Sequence, residues 1–438
     1  MKLAKRLEKA GIPIWGTSPE SIDLAEDRER FGKLVKNAGI RMPQWGTAFT
    51  YQEARKVADS IGYPVLVRPS YVLGGRAMEI VYDDASLERY IRAAAEVSPE
   101  HPVLVDKFLE DAFEFDVDAV RDGRETLICG FMQHIEEAGI HSGDSSCVLP
   151  PYMISDENQN AMVEQTRRMA DLLDVRGLVN VQFALRDGAI YVLEVNPRAS
   201  RTVPFVSKAT GIPWAKVAAK VLAGKTFRDQ GIRDSGKMNK TAVKTPVFPF
   251  IKFPGVRTYL GPEMRSTGEV MGLGETFGAA FAKAQLASGN ALPVKGNVFI
   301  SVNDNDKATA VAIGRQLFDL GFGIYATEGT FKAFRRAGIP SKMLYKVEQG
   351  RPNSLDLIIN REIQLIVNTP LGKTARHDEY NIGRVALAYG VPCLTTLSAS
   401  WAAVQAIRTL QAGSLDVHAL QDGMDEKGSP HGKSQRTA

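Results

Sequence analysis

Apolar and polar positions follow two different rhythms along this chain, and the change falls near residue 297. Residues 1–28 read as an amphipathic helix over MKLAKRLEKAG, a short apolar strand at Ile12–Trp15, and a second helix opened by Gly16-Thr17-Ser18-Pro19. From 29 to about 100, helical patterns flank the apolar run Tyr63-Pro64-Val65-Leu66-Val67-Arg68. A glycine-bearing loop, 70–76, and a strand at Met78–Tyr82 follow it. Strand-like runs at Val103–Val105, Phe113–Val120 and Thr126–Gln133 come next, with Asp122-Gly123 as a hairpin turn. A polar Gly/Ser-rich stretch covers 136–147, and a long helix is expected near 156–173. Another hairpin joins Leu178–Leu185 to Ile190–Val195 around Asp187-Gly188. Helices near 200–225 and a Pro/Gly-rich segment at 245–262 close the unit. Strands linked by hairpins predict α+β architecture with antiparallel pairing.

Residues 285–296 are small, Pro- and Gly-bearing and aperiodic, which reads as a linker. Beyond them strands at Val298–Val302, Gly323–Ala326, Leu357–Ile359, Leu365–Val367 and Cys393–Thr395 alternate with helices at 305–320, Phe331–Ala337 and 379–389. That alternation predicts a parallel-sheet, Rossmann-like α/β domain. The expected division is therefore 1–28, 29–284, a linker at 285–296, 297–415, and a polar tail at 416–438 that is expected to be disordered. A lone helix and strand at the start have no sheet to complete, so 1–28 reads as the remnant of a preceding α/β unit.

Composition narrows the picture. The 438 residues are 44% apolar and 24% charged, which suits a globular protein and excludes a coiled-coil rod or a collagen. A net charge of +4 is too weak to point to nucleic acid. Cys129, Cys147 and Cys393 are scattered without CxxC spacing, so neither a disulfide framework nor a zinc site is expected. No apolar run approaches a membrane span, and the first residues lack the apolar core of a signal peptide. The expectation is a cytoplasmic protein that binds neither nucleic acid nor membrane.

The strongest chemical signal is Glu194-Val195-Asn196-Pro197-Arg198 at a strand end. Alternation puts Glu194 and Asn196 on one face and Val195 in the core. A carboxylate beside an amide oxygen suits Mg²⁺, and the Arg198 guanidinium could clamp phosphate. A strand that simply ends in a polar turn stays open. Gln182 joins the pair only if it lies opposite Glu194, which a three-residue loop (187–189) would give; a two-residue loop would put Val181 there. The loop 70–76, flanked by Arg68 and Arg76, could fold over a polyphosphate, although Gly-Gly alone also marks an ordinary turn. There is no GxxxxGK[ST] loop, and Gly272-Leu273-Gly274 lacks a third glycine.

Four segments, RPSYVLGGRAMEIVY at 68–82, HIEEAGIHSGDSSC at 134–147, RGLVNVQFA at 176–184 and EVNPRASRTVPFVSKATG at 194–211, resemble the large chain of carbamoyl-phosphate synthetase, within its C-terminal half. The resemblance implies an ATP-grasp domain preceded by the remnant of a pre-ATP-grasp domain. It also implies an enzyme that phosphorylates carbamate with ATP, feeding pyrimidine and arginine biosynthesis. Arg68 resembles a phosphate contact; Lys107, Leu109 and Glu114 the nucleotide hinge and ribose contacts; Gly139, Ile140, His141 and Ser142 a loop approaching the nucleotide. Gln182, Glu194 and Asn196 resemble ligands of two Mg²⁺ or Mn²⁺ ions. Arg198, Arg201 and Arg76 are the expected catalytic cations, Arg201 being equally suited to a helix cap. His141 reads as a hydrogen-bonding contact rather than a general base, and His134 as structural. The implied partners are a small glutaminase chain and an N-terminal synthetase half, with a homo-oligomer possible in principle. Another ATP-grasp carboxylate ligase, or a non-catalytic nucleotide-binding fragment, are the competing readings.

Residues 297–415 resemble the methylglyoxal-synthase-like regulatory domain of that family, which implies a nucleotide-monophosphate effector. Ser301, Lys307, Thr327, Thr330, Lys346 and Asn368 match its contacts. They equally suit helix caps and solvated charges. Pro370 and Lys373 depart from some members, and Thr245 stands where amine-activated members carry a carboxylate, so no ornithine-type activator is expected.

Overall fold

The computed structural model describes residues 2–69, 77–97, 102–234, 238–250, 260–347, 349–369, 373–413 and 415–420. The loop 70–76 with its Arg76, the departure at Pro370, the side chain of Lys373 and the tail beyond 420 lie outside the described residues.

Three helices open the chain: α1 (Lys2–Lys9), α2 (Pro19–Glu26) and α3 (Arg28–Asn37). Ser18 and Asp27 start the second and third by accepting the Ser21 and Arg30 amides. The strand expected at Ile12–Trp15 does not form. It meets no strand to pair with among the described residues, and Trp15 is left 72% exposed.

A four-stranded antiparallel sheet follows, in the order β1-β4-β2-β3, from β1 (Trp45–Ala48), β2 (Val65–Pro69), β3 (Glu79–Val81) and β4 (Val103–Lys107). Helices α4 (Tyr51–Ile61) and α5 (Asp84–Val97) cover it, closing a core around Val65, Val67, Val81 and Val105.

The larger sheet is antiparallel and seven-stranded. Its strands are β5 (Phe113–Arg121), β6 (Thr126–His134), β7 (Cys147–Leu149), β8 (Gly177–Arg186), β9 (Ala189–Asn196), β10 (Thr241–Val247) and β11 (Gly268–Gly274), in the order β11-β10-β7-β6-β5-β8-β9. Along β5, Phe115, Val117 and Ala119 face a core shared with α3 and α6 (Asp156–Leu172). The opposite face is apolar at Val120 and Met132, where α7 (Val203–Thr210) and α8 (Trp214–Leu222) cover it, and polar at Glu114, Asp116 and Asp118. A short helix, α9 (Phe227–Gln230), and α10 (Phe277–Ala287) complete this unit; α10 runs on past the expected start of the linker at 285.

The second unit is a parallel five-stranded sheet, order β14-β13-β12-β15-β16, from β12 (Asn297–Val302), β13 (Gly323–Thr327), β14 (Lys342–Leu344), β15 (Leu365–Thr369) and β16 (Cys393–Leu394). Its helices are α11 (Lys307–Asp319), α12 (Glu328–Arg336), α13 (Ser354–Ile359), α14 (Lys373–Tyr389) and α15 (Leu397–Ala412). The parallel α/β expectation holds, with one element changed. Leu357–Ile359 is the end of a helix, because Asn353 and Asp356 form a capping box that starts a turn the apolar run alone does not reveal.

The two units share apolar contacts. Val148 and Val243 of the seven-stranded sheet, with Ile135 just past the end of β6, pack through Ala280 and Phe281 of α10 into one cluster with Val298, Ile300 and Ala403. Helices α10 and α15 approach so closely that a Cβ on Gly278 would lie 2.6 Å from the Gln405 carbonyl oxygen. Beside them the Thr396 hydroxyl donates to the Ile135 carbonyl at 2.9 Å.

Candidate functional site

A cleft of about 670 Å³ opens between the four-stranded sheet and the polar face of the seven-stranded one. Twelve expected site residues line it: Arg68, Lys107, Leu109, Glu114, Gly139, Ile140, His141, Ser142, Gln182, Glu194, Asn196 and Arg198. Segments some 130 residues apart in sequence are thus brought to one wall.

The expected ligand trio forms by a route that simple turn counting misses. The β8–β9 hairpin has a two-residue turn: Arg186 pairs with Ala189, and Asp187 and Gly188 both take positive φ. Uninterrupted, that register would set Val181 against Glu194. A bulge at Leu193 restores Gln182 opposite Glu194 and Asn180 opposite Asn196. Val195 is buried while Glu194 is exposed to the cleft, and the Asn196 amide donates to Glu194 Oε1 at 2.8 Å. Arg198 donates in turn to Asn196 Oδ1 at 3.0 Å, so carboxylate, amide and guanidinium form one row.

Arg28 is the residue that sequence reading missed. It starts α3, lies almost wholly buried, and donates to the bulged Leu193 carbonyl at 3.0 Å and to Asp106 Oδ1. Burial pulls its pKa down, and the Asp106 charge opposes that pull. Arg68 shares the same carboxylate, its Nε 3.5 Å from Asp106 Oδ2. Two guanidiniums on one acid leave a local positive charge at this point of a lining whose basic and acidic side chains balance overall, which suits a phosphorylated ligand there. The available signal was Asp27, a strong N-cap that fixes where α3 begins and so aims Arg28.

Lys107, expected among the hinge and ribose contacts, is held by backbone carbonyls. Its ammonium donates to the Gly62 and Tyr63 carbonyls, each at 2.9 Å, and burial lowers its pKa. The loop at 139–145 is tied down on several sides. Glu114 Oε1 accepts the Gly139 amide at 3.0 Å, and the buried Lys244 ammonium donates to the Ser142 carbonyl at 2.9 Å. Gly139 has φ +87°, and a Cβ there would lie 2.6 Å from the Phe108 ring. His141 Nδ1 accepts the Gly143 amide at 3.0 Å, which leaves the ring proton on Nε2. Burial lowers its pKa, so the imidazole is neutral and offers a donor to the cleft.

Below the cleft floor runs a buried polar chain. His134 contacts Asp116 Oδ2 at 2.8 Å and Glu114 Oε2 at 3.4 Å. Burial works against charge on this ring, but Cys147, Asp116 and Glu114 outweigh it and raise the His134 pKa well above the usual value. Burial likewise pushes Asp116 up, and bonds from His134 hold it down instead. Asp118 carries no such cation; burial raises it to about 6. The clue lay in the sequence FEFDVDAVR, whose alternation places three carboxylates on one strand face. Arg201 is not in the cleft wall: its Nη1 lies against Met264 Sδ, beside Gly143.

In the second unit, Ser301, Thr327 and Asn368 sit at the carboxyl ends of β12, β13 and β15, with Ser301 directly beside Asn368. Lys307 begins α11, pairs with Asp304, and hangs over Gly329 at the start of α12. Thr330 accepts the Val302 amide, Thr327 donates to Ser301 Oγ at 3.2 Å, and the exposed Lys346 adds charge near Asp304. Strand ends beside helix starts in a parallel sheet are where anions bind.

A family model described as carbamoyl-phosphate synthase L chain, ATP binding domain, matches residues 27–230, and one described as MGS-like domain matches 309–395. A relative from Aquifex aeolicus, the C-terminal section of a carbamoyl phosphate synthase large chain, is 50% identical, covering 96% of this chain and 82% of that protein. The chain belongs to the carbamoyl phosphate synthase large chain family. Another carbamoyl phosphate synthase large chain, from Archaeoglobus fulgidus, is 54% identical over 97% of this chain. The match spans only 40% of that protein's length. Among solved structures, the biotin carboxylase domain of Hydrogenobacter thermophilus 2-oxoglutarate carboxylase superposes with TM-score 0.54 at 18% identity, over 65% of this chain and 70% of that one. N5-carboxyaminoimidazole synthase from Aspergillus clavatus gives 0.53 at 14%, over 65% and 78%. At these identities the likeness is one of fold: an ATP-grasp unit, followed in this carbamoyl phosphate synthase relative by an MGS-like one.

Proposed function

We propose that this chain carries the carbamate-phosphorylating half of carbamoyl phosphate synthesis, converting ATP and carbamate to ADP and carbamoyl phosphate. The observation that carries the reading is one cleft in which Glu194 and Gln182 face the same space as Arg28, Arg68 and Arg198. A biotin carboxylase neighbour solved with MgADP supports ATP and Mg²⁺ as its ligands.

Gln182, Glu194 and Asn196 fit Mg²⁺ or Mn²⁺. They are hard oxygen donors with a single carboxylate, and among the described residues no cluster of three His, Cys, Asp or Glu competes with them. Such a set holds Mg²⁺ with help from nucleotide phosphates, in one or two ions. The metal, when bound, neutralises charge on the transferred phosphoryl group. The chain's own residues do the rest by position. Arg28, Arg68 and Arg198 offset the charge of two anionic reactants. His141 donates from Nε2 to the nucleotide, and since carbamate already carries its negative charge, no base is needed. Arg201 adds its charge beside Gly143, from outside the wall.

The MGS-like unit takes a nucleotide monophosphate at Ser301, Lys307, Thr327, Thr330, Lys346 and Asn368. Carbamate would come from the N-terminal half of longer relatives and ammonia from a small glutaminase chain. The exposed Trp15 and Ile12 support dependence on such a partner. Among the described residues no helix is long and apolar enough to cross a membrane.

The test runs the reaction backwards. The purified chain is mixed with ADP, Mg²⁺ and carbamoyl phosphate, and ATP is followed beside a Glu194→Ala control. ATP from the native chain alone supports the reading. A folded, nucleotide-binding chain that makes none overturns it as a self-sufficient half-site.

A further inference from the structure

We infer that Asp118 is a positioning residue for the loop at 197–202, holding the arc that presents Arg198 and Arg201 by binding the hydroxyls of Ser200 and Thr202. The inference deepens the proposed reading, because the loop matters for phosphate only if the cleft takes one.

The first observation is a diverted cap. Thr202 occupies the N-cap of α7 yet gives its side chain to no amide of that helix. Six other Ser and Thr N-caps, Ser18, Thr50, Ser155, Thr226, Thr276 and Thr396, accept an amide of their own helix, whereas Thr327 of α12, like Thr202, gives its hydroxyl elsewhere. Thr202 instead donates to Asp118 Oδ2 at 2.5 Å. Ser200 donates to Asp118 Oδ1 at 2.8 Å, and the two hydroxyls lie 2.7 Å apart.

The second observation is the cost of putting a carboxylate there. Asp118 has no exposed surface and, among the described residues, no ion pair, and its nearest charged neighbour on the strand is another acid, Asp116. Asn180 bridges the two, its amide 3.0 Å from Asp118 Oδ1 and 3.1 Å from Asp116 Oδ1. A buried acid without a cation is retained only where its hydrogen bonds do something an apolar side chain could not. Here two of its three donors come from the loop. The loop's other bonds are local: Arg198 donates its amide to the Asn196 carbonyl and its guanidinium to the Ala199 carbonyl and Asn196 Oδ1, the Thr202 carbonyl accepts the Val206 amide, and Pro197 has no amide to give. The arginines therefore depend on Asp118 for a fixed backbone rather than for contact.

The experiment uses the full chain, wild type beside Asp118→Asn, Thr202→Val and Ser200→Ala. Affinities for AMP and for MgATP are measured by calorimetry in a Lys307→Ala background, so that AMP reports the cleft and not the second unit, and backbone exchange is followed by mass spectrometry. Expected is a roughly tenfold weaker MgATP affinity with AMP unchanged, from weakened charge-assisted bonds. Exchange should rise across 198–203 while β5, β8 and β9 stay protected. Unchanged exchange in the loop overturns the inference. So does exchange that rises equally through the three strands with both nucleotides weakened alike, since Asp118 would then be only a structural knot. A wild type that binds neither nucleotide refutes the cleft reading instead, and the exchange result still decides the role of Asp118.

Discussion

Arg28 reaches from the first turn of α3 to the carbonyl of Leu193, the residue at which β9 bulges. The bulge therefore does two things at once. It returns Glu194 to the partner of Gln182, and it exposes a carbonyl for the guanidinium that also holds Asp106.

Removing Arg28 should expose that dependence. Arg28→Met leaves Asp106 buried with only the more distant Arg68, and breaking a buried pair costs about 3 kcal/mol. Pairing it with Asp106→Asn should recover much of that loss in urea melts. Additive losses would show that the two residues do not act together.

Asp118 sets a pH dependence with a definite sign. Its folded pKa, raised to about 6 chiefly by burial, exceeds the unfolded value, so the folded state binds the extra proton. Its contribution to stability therefore falls as pH rises from about 4 to about 6. Asp118→Asn should flatten this part of the profile in denaturant titrations. Parallel profiles for the two proteins would contradict the assignment.

The close approach of α10 and α15 predicts cooperative melting. Wild type should unfold in a single calorimetric transition, because one apolar cluster spans both sheets. Gly278→Val drives a side chain into the Gln405 carbonyl and should cost about 2 kcal/mol, splitting the trace into two transitions. Two transitions already present in wild type would refute the shared core.

For the second unit, purine and pyrimidine nucleoside monophosphates should be screened by thermal shift. At least one should raise the melting temperature by mass action, and Lys307→Ala should remove the rise, since its ammonium lies over the α12 N-terminus. Equal protection in both proteins would exclude Lys307 from the site.

Much of the site was legible because strand alternation places side chains without knowledge of the fold. Glu194, Asn196 and Val195 sort correctly by that rule alone. The partnership of Gln182 with Glu194 was foreseen for the wrong reason: the turn has two residues, and a bulge supplies the missing shift. Bulges leave no period in a sequence, so turn length and register cannot be separated by counting. Arg28 was hidden because a helix-start arginine looks like a surface charge until a distant carboxylate, Asp106, is folded over it. Ile12–Trp15 failed as a strand for the opposite reason, since β-propensity needs a neighbour to pair with. Leu357–Ile359 shows how a three-residue apolar run suits a strand or a helix equally until Asn353 caps it.

The apolar cluster around α10 also says where this chain can be recombined. A chimaera that borrows the MGS-like unit of another relative by joining within 288–296 would set a foreign α15 against a native Gly278, and neither surface would have been shaped for the other. Joining before Phe277 carries α10 along with its partner helix, and moves the mismatch onto β10 and β11, where Gly272 and Gly274 give α10 a seat just as tight. Helix α10 is therefore a key cut to fit on two sides, and a functional exchange would have to keep both of its seats native.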